Sequence, residues 1–167
     1  MKSFEPLPWS DYFDAKQTVA VGESGLRFNV YTAGLEAAAA SQSAEGEEGA
    51  PKPLLYCIHG GGYTGLTWAL LAKRLSGKYA VAAVDLRGHG ESSRDGAMSF
   101  AIEELTRDAV AVWDHLFGAA RPPTVVLGHS LGGAVAIHAS SLEGIPSLAA
   151  TVVIDVVEGT AMQSLPY

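Results

Sequence analysis

The chain has 167 residues, of which 48% are hydrophobic, so it is large and apolar enough for one domain with a sizeable core. Its net charge of −7 comes without a basic patch, which argues against nucleic acid or an anionic membrane as a partner. The sequence has no secretory signal and no apolar run that could cross a bilayer, so we expect an intracellular protein, in the cytoplasm or the nucleus. The single cysteine, Cys57, lies in a strand-like run and is predicted to be an inert core thiol.

The start of the chain combines an arm, a hairpin and a loop. Residues 1–16 are rich in proline and aromatic residues and predict an extended arm, with a turn of helix over 10–15. Its aromatic side chains are expected to hold the arm to the domain, with a binding edge as the alternative. Strands over 18–21 and 26–31 flank a Gly-Glu-Ser-Gly turn and predict an antiparallel hairpin. Residues 35–53 are acidic, rich in alanine and end in prolines, which predicts a low-complexity surface loop inside the domain.

After the loop, buried strands alternate with helices. We predict strands over 54–58, 79–84, 124–127 and 151–154, and helices over 67–75, 100–116 and along the run that follows Gly132. This order predicts an α/β fold, with a mostly parallel, doubly wound sheet and an antiparallel N-terminal hairpin. The arm, the loop and the sheet would form one domain over 1–167, and its last strand would be left as an open apolar edge.

The segment Gly128-His129-Ser130-Leu131-Gly132 matches the pattern G-x-S-x-G. A strand before the pattern and a helix after it are typical of a nucleophile elbow, which favours function over a chance match in a glycine-rich chain. At such a turn the serine hydroxyl is exposed at a helix N-terminus, where backbone N–H groups can stabilise an oxyanion. We therefore predict Ser130 as a nucleophile and the Leu131 N–H as an oxyanion donor.

A glycine loop supplies the candidate for the second oxyanion donor. His59-Gly60-Gly61-Gly62 follows the predicted strand over 54–58 and resembles the HGGG-type loop that provides an N–H in such sites. Gly61 is the first candidate, with Gly60 or Gly62 as alternatives. A merely flexible turn is less consistent with the position of the loop between a strand and a helix.

Polar residues end further strands of the predicted sheet. Asp85 and Asp155 join the glycine loop and Ser130 at carboxyl ends of strands, where the site of a parallel sheet lies. Asp155 closes an apolar run in which a carboxylate needs a partner, and it follows the serine in the order Ser, Asp, His. We predict Asp155 as the acid of a triad, with a helix cap or a surface ion pair as the alternative.

None of the five histidines follows Asp155, so the position of a general base is unfilled. We expect His59 and His89 to hydrogen-bond within their own turns, His115 to be solvated, and the side chain of His129 to point away from the serine. His138 lies two turns into the predicted elbow helix. No zinc, P-loop or dinucleotide pattern occurs, so no metal or cofactor is predicted.

On these motifs the chain resembles the α/β-hydrolase superfamily and, within it, the protein phosphatase methylesterase family. The stretches that carry the resemblance are 8–13, 55–68, 85–91, 128–134 and 154–162. The hydrolase motifs among them are generic, whereas the Pro-Trp-Ser arm and the last block are far more specific to the methylesterases.

The resemblance implies a serine hydrolase that removes the methyl ester from the C-terminal leucine of the type 2A protein phosphatase catalytic subunit, its protein partner. It maps the nucleophile to Ser130 and the triad acid to Asp155. Family chains continue well beyond Tyr167, and the missing part would hold the catalytic histidine. The resemblance thus implies a C-terminally truncated, incomplete domain that is inactive by itself. A small-molecule carboxylesterase and a non-catalytic phosphatase-binding fragment are the alternatives.

Overall fold

A computed structural model describes residues 7–22, 25–35, 52–94 and 98–156. Its strands are β1 (Ala15–Val21), β2 (Leu26–Ala33), β3 (Leu54–Ile58), β4 (Ala80–Val84), β5 (Thr124–His129) and β6 (Leu148–Ile154). Its helices are α1 (Ala69–Leu75), α2 (Ile102–Phe117) and α3 (Leu131–Ser141), with 3-10 turns at Trp9–Asp11 and Gly65–Trp68. None of the helices in these ranges is long and apolar enough to cross a membrane. The start of the predicted arm, most of the predicted loop and the tail after 156 lie outside the described residues.

The six strands form one sheet in the order β1-β2-β4-β3-β5-β6. Strand β2 pairs antiparallel with β1 and with β4, whereas the pairs β4-β3, β3-β5 and β5-β6 are parallel. The predicted hairpin, the mostly parallel sheet and the alternation of strands with helices are therefore confirmed. The division of the chain into one domain with an arm and a loop stays a prediction.

The central strand β3 is buried on both faces. Tyr56 and its alternate neighbours pack with Trp113 of α2 in one cluster, whereas Cys57 packs with Ala72 of α1 in the other. Because successive side chains of a strand point to opposite faces, a continuous apolar run fits a sheet covered by helices on both sides. The predicted position of Cys57 in the core is confirmed, and burial raises the pKa of its thiol, as expected for an unreactive cysteine.

The N-terminal arm packs through its aromatic side chains, as the sequence predicts. Phe13 is buried against Tyr31, with ring centroids 5.3 Å apart, and Trp9 lies 6.3 Å from the same ring. The predicted turn of helix over 10–15 is wrong, since only a short 3-10 turn forms and Ala15 already begins β1. The Asp14 N–H donates to the Thr32 carbonyl and Ala15 pairs with Thr32, so pairing with β2 begins inside this segment and outweighs any local preference for a helix there.

Strand β6 is an edge of the sheet in the described part of the chain. It pairs with β5, and the side chains of Val152, Val153 and Ile154 are 42%, 45% and 44% exposed. The predicted open apolar edge is confirmed. An uncovered apolar edge is a template for pairing with another chain, so exposure of β6 favours aggregation.

Arg87 ties the loop after β4 to helix α2. Its guanidinium donates two hydrogen bonds to the Asp108 carboxylate, at 2.5 and 2.7 Å, and further bonds to the Ser99 carbonyl and the Glu104 carboxylate, both at 3.3 Å. Arg87 and Asp108 are each 8% exposed. Removing the partner of a buried guanidinium is destabilising, because the remaining charge then has neither water nor a counterion.

We expect Asp108→Ala to lower the free energy of unfolding by about 3 kcal/mol or more, since it leaves the buried Arg87 guanidinium unpaired. Glu104→Ala is the matched control, because it removes the weaker and more exposed partner of the same guanidinium. Its effect should be several-fold smaller. Urea unfolding of the two variants and the unaltered chain measures both losses, and equal losses would contradict the assigned importance of the Asp108 pair.

Candidate active site

Ser130 lies between β5 and α3 with φ 50° and ψ −119°. This backbone conformation is rare for residues with a side chain and costs about 1–3 kcal/mol, which the surrounding structure has to offset. The Ser130 N–H donates to the Ile154 carbonyl at 2.9 Å, and the Ser130 carbonyl accepts from Gly133 at 2.8 Å. Ser130 is exposed. The strand, tight turn and helix predicted around it are confirmed, whereas its catalytic role stays a prediction.

The glycines of the turn allow α3 to press onto the sheet. A Cβ on Gly128 would overlap the backbone of Gly132, and a Cβ on Gly132 would overlap the Ile58 carbonyl at the end of β3. A Cβ on Gly133 would overlap the side chain of Val156. These glycines therefore permit close packing, which places the helix N-terminus beside the carboxyl ends of the strands.

The glycine loop lies directly against the elbow. A Cβ on Gly60 would stand 2.9 Å from Nδ1 of His129 and 3.2 Å from Cβ of Ser130. A Cβ on Gly61 would have Cδ2 of Leu131 as its nearest neighbour, at 3.7 Å. The structure therefore brings the predicted oxyanion candidates Gly61 and Leu131 to the same place, next to Ser130.

The hydrogen bonds of the loop distinguish among its three glycines. The Gly62 N–H donates to Nε2 of His89 at 3.1 Å, so it is already occupied. The N–H groups of Gly60, Gly61 and Leu131 have no acceptor among the described residues. This pattern argues against Gly62 and is consistent with Gly61 and Leu131 as the two donors, with Gly60 as the remaining alternative.

His59 is fully buried and uses both ring nitrogens. Nδ1 lies 2.7 Å from the Gly60 carbonyl and Nε2 accepts from the Leu86 N–H at 3.0 Å. Since a carbonyl only accepts, Nδ1 carries the proton and the ring is neutral. Burial, the largest cause, lowers the pKa of His59. The expected role of His59 in holding its own loop is confirmed, and its bond to the loop after β4 is an addition.

Asp85 follows β4, and its carboxylate is engaged in structural hydrogen bonds. Its buried carboxylate accepts from the Gly65 N–H at 2.6 Å, and from the Glu91 N–H and the Asn29 side chain, both at 2.9 Å. The sequence placed Asp85 correctly at the rim of strand ends. Two of its partners are backbone amides and the third is the Asn29 side chain on β2, and no sequence pattern predicts these pairings.

Asp155 follows β6 at the point where β6 lies beside Ser130. The register pairs His129 with Ile154, so Ser130 and Asp155 come next on adjacent parallel strands about 4.8 Å apart. Asp155 adopts φ 52°, a left-handed conformation that aspartate tolerates better than most residues. The expectation of a buried carboxylate in need of a partner is wrong, because Asp155 is exposed at the open edge of the sheet.

The remaining histidines occupy different surroundings. His115 on α2 and His138 on α3 are exposed, so the expected solvation of His115 is confirmed. The His129 ring packs edge-on to Tyr63 with centroids 5.8 Å apart, and its buried Nδ1 has no partner among the described atoms. His129 thus lies closer to the glycine loop than the sequence indicates.

Two further features do not belong to this site. A groove of about 620 Å³ lies between α2 and α3, and its lining includes none of the predicted site residues. Within the described ranges, no three His, Cys, Asp or Glu residues are grouped so that they could hold a metal ion. The chemistry that this geometry offers is therefore that of a serine, two free amides and an adjacent carboxylate.

A sequence model of the alpha/beta hydrolase family matches residues 55–166, more than half of the chain. The chain therefore belongs to the alpha/beta hydrolase family. A solved E-2-(acetamidomethylene)succinate hydrolase has the same fold, with a TM-score of 0.66 at 23% identity over 86% of this chain and 45% of that one.

More specific similarity comes from sequence relatives. "Probable protein phosphatase methylesterase 1" of Caenorhabditis elegans is 41% identical over 98% of this chain and 41% of its own length. "Protein phosphatase methylesterase 1" of Bos taurus is 36% identical over 98% of this chain and 40% of its own length. The chain thus spans about two fifths of the length of these relatives.

The lowered pKa of His59 predicts how stability changes with pH. Since the unfolded chain binds this proton more readily than the folded protein, the contribution of neutral His59 is complete above the ordinary pKa of about 6.5. It is lost as the pH falls below that value toward the lowered pKa, by up to about 1.4 kcal/mol per pH unit. Urea unfolding at pH values between about 5 and 8 measures the slope.

The His59→Gln variant should show a shallower slope, because the group that takes up the proton on unfolding is gone. His138→Gln is the control, since His138 is exposed in the folded protein. If the slope of His59→Gln equals that of the unaltered chain, His59 does not remain neutral in the folded state.

Proposed function

We propose that these residues are the N-terminal part of a serine hydrolase that removes a methyl ester from the C-terminal leucine of a protein, the catalytic subunit of type 2A protein phosphatase. The observation that carries this proposal is the convergence of Ser130 with the two unoccupied amides of Gly61 and Leu131. The relatives named protein phosphatase methylesterase 1 support the protein substrate.

The chemistry is acyl transfer through a covalent intermediate. The Ser130 hydroxyl gives its proton to a base as its oxygen attacks the ester carbonyl. The N–H groups of Gly61 and Leu131 stabilise the resulting oxyanion, the methoxy group leaves as methanol with that proton, and water releases the free carboxylate. Asp155 orients the histidine base and stabilises its charged form, and no cofactor takes part.

The base itself would come from beyond this chain. Both ring nitrogens of His59 and of His89 are engaged in hydrogen bonds, so neither can take the serine proton without giving up its partners. His115 and His138 lie on exposed positions of helices. The order Ser, Asp, His and the greater length of the relatives both support a base located after Asp155.

Exposed apolar side chains support a protein as the substrate. Tyr63 is 55% exposed beside the glycine loop, Leu66 follows in the next turn at 41%, and Phe100 is 52% exposed against His89. An apolar rim next to the candidate site is the kind of surface on which a protein partner docks. The same rim would allow the fragment to bind the phosphatase without turnover.

An intracellular location, in the cytoplasm or the nucleus, forms part of this proposal, because it would place the hydrolase with its phosphatase partner.

A form of the protein extended to include the late histidine should release methanol from phosphatase that carries methyl-leucine. Ser130→Ala should abolish this release, and Ser141→Ala, at an exposed position of α3, should leave it unchanged. Methanol release and loss of the methyl mark, followed by mass spectrometry, measure the reaction. If the extended protein cleaves only small esters, the alternative function, that of a small-molecule carboxylesterase, is correct.

The 167-residue chain should show negligible ester turnover and little labelling of Ser130 by a fluorophosphonate probe, because labelling also needs an activated hydroxyl. Without the base, only roughly 10³–10⁴-fold catalysis over water would remain in a fully formed pocket. Labelling that is lost on Ser130→Ala and on His129→Ala would show instead that His129 serves as the base.

A pull-down with methylated phosphatase shows whether this chain binds the phosphatase without turnover or does not bind it. Binding without methanol release supports a phosphatase-binding fragment, and absence of binding rules it out.

A further inference from the structure

His89 lies in a tight turn between two glycines, which fixes the position of its ring. The flanking residues Gly88 and Gly90 have φ values of 71° and 52°, which favour glycine. A Cβ on Gly90 would overlap the Asp85 carboxylate, and a Cβ on Gly88 would stand 2.8 Å from the Phe100 ring. The backbone thus folds tightly around His89, and its ring packs edge-on against Phe100 with centroids 6.0 Å apart.

The two hydrogen bonds of the ring specify one protonation state. Nδ1 lies 2.9 Å from the Arg87 carbonyl, which only accepts, so Nδ1 carries a proton. Nε2 lies 3.1 Å from the Gly62 nitrogen, which only donates, so Nε2 carries none. His89 is therefore neutral and protonated at Nδ1, and it holds the glycine loop from a position 27 residues further along the chain.

His59 makes the matching connection in the opposite direction. It belongs to the glycine loop and accepts from the Leu86 N–H in the loop after β4. The two rings lie 5.1 Å apart, and each uses Nε2 to accept from a backbone amide of the other loop. The glycine loop is thus held at both ends, through His59 and through Gly62.

We propose that His89 is a positioning residue for the oxyanion loop, which it holds only as a neutral imidazole protonated at Nδ1, so that the loop is released when His89 takes up a second proton. The bond to Gly62 engages that amide and fixes the turn in which the Gly61 N–H stays free. This inference rests on the proposed function where it gives Gly61 the role of oxyanion donor.

The physical reason for release is a clash of donors. A second proton on His89 sits on Nε2 and points at the Gly62 N–H, so attraction becomes repulsion, while the Nδ1 bond to Arg87 is kept. None of the ionisable neighbours is placed to accept a hydrogen bond from a protonated Nε2 in this arrangement. The Asp85 carboxylate is occupied by three donors, and the Arg87 guanidinium is directed to Asp108.

Three further ionisable groups lie near the turn, and one of them is the Arg94 guanidinium, which donates to the Gly90 carbonyl. The Glu91 carboxylate binds Lys16 at 2.8 Å, and the buried, neutral ring of His59 brings no negative charge. No carboxylate in the described ranges is hydrogen-bonded to Nε2 of His89, so a proton at that position has no acceptor in place of the Gly62 N–H.

NMR of the unaltered chain labelled with ¹⁵N on histidine tests this directly. Above neutral pH, His59 and His89 should each show a protonated Nδ1 and an unprotonated Nε2. As the pH is lowered, the Gly62 amide resonance should shift with the same midpoint as the His89 Nε2 resonance. A proton on Nε2 of His89 above neutral pH, or a Gly62 amide that does not respond when His89 is protonated, would overturn the proposal.

A variant adds a second readout. His89→Phe keeps a ring against Phe100 but removes the acceptor, so protection of the Gly62 amide, relative to its intrinsic exchange rate at each pH, should fall about tenfold and lose its dependence on pH. His89→Gln offers an amide oxygen and should restore part of the protection without the pH dependence. His138→Phe, at an exposed position of α3, should change neither property.

The Cys57 amide in β3 reports whether the fold is intact. If it loses protection in His89→Phe, the variant is globally destabilised and the protonation state in the unaltered chain decides the matter. Unchanged Gly62 exchange in a folded His89→Phe would overturn the proposal. Because these experiments contain no ester, a failure to hydrolyse methyl esters would count against the proposed function and leave this result untouched.

Discussion

The buried Asp85 carboxylate is the constraint on which the arrangement at the strand ends depends. It has no ion-pair partner among the described residues, and three N–H groups satisfy its oxygens. These donors come from β2, from the segment that leads into α1, and from the turn after β4. A buried charge is tolerated only when such donors surround it, so their positions are mutually determined. The carboxylate thereby fixes the position of Gly65, just after the glycine loop, and of Glu91, in the turn that contains His89.

The candidate site combines a strained element with rigid supports. Ser130 holds an unfavourable backbone conformation, and the surrounding glycines let α3 and β3 pack closely enough to maintain it. The glycine loop, by contrast, has little apolar side chain of its own and is held by polar bonds to the two histidines. Stability at the elbow therefore comes from packing, whereas stability at the loop comes from hydrogen bonding, which is more sensitive to protonation.

Sequence reasoning was most successful where one physical pattern acts locally. The apolar run at 54–58 and the G-x-S-x-G turn predicted strand β3 and the elbow, because strand burial and turn chemistry leave direct marks in composition. The turn of helix over 10–15 failed since pairing with β2 outweighs local preference. The exposure of Asp155 was missed because an apolar run predicts a covered strand and does not reveal an open edge.

The bonds between the loops were beyond sequence reasoning for a different reason. The acceptor role of His89 toward Gly62 depends on which two turns the sheet order brings together, and β4 lies next to β3 only through a crossover. The same limit applies to the two backbone donors of Asp85, the amides of Gly65 and Glu91. Backbone amides are identical at every residue, so a side chain that binds them leaves no complementary residue type to find.

The backbone pairing of β5 with β6 has a consequence for sequence change. Ser130 and Asp155 are placed relative to each other by the ladder that ends at the bond from Ser130 to Ile154, and no side chain of β6 contributes to that bond. Exchange of one small apolar residue for another along β6 should leave the spacing of the two groups intact. Loss or gain of a single residue in that strand would shift the register and turn the carboxylate to the opposite face. Conservative substitutions in β6 should thus be tolerated, whereas insertions and deletions should not.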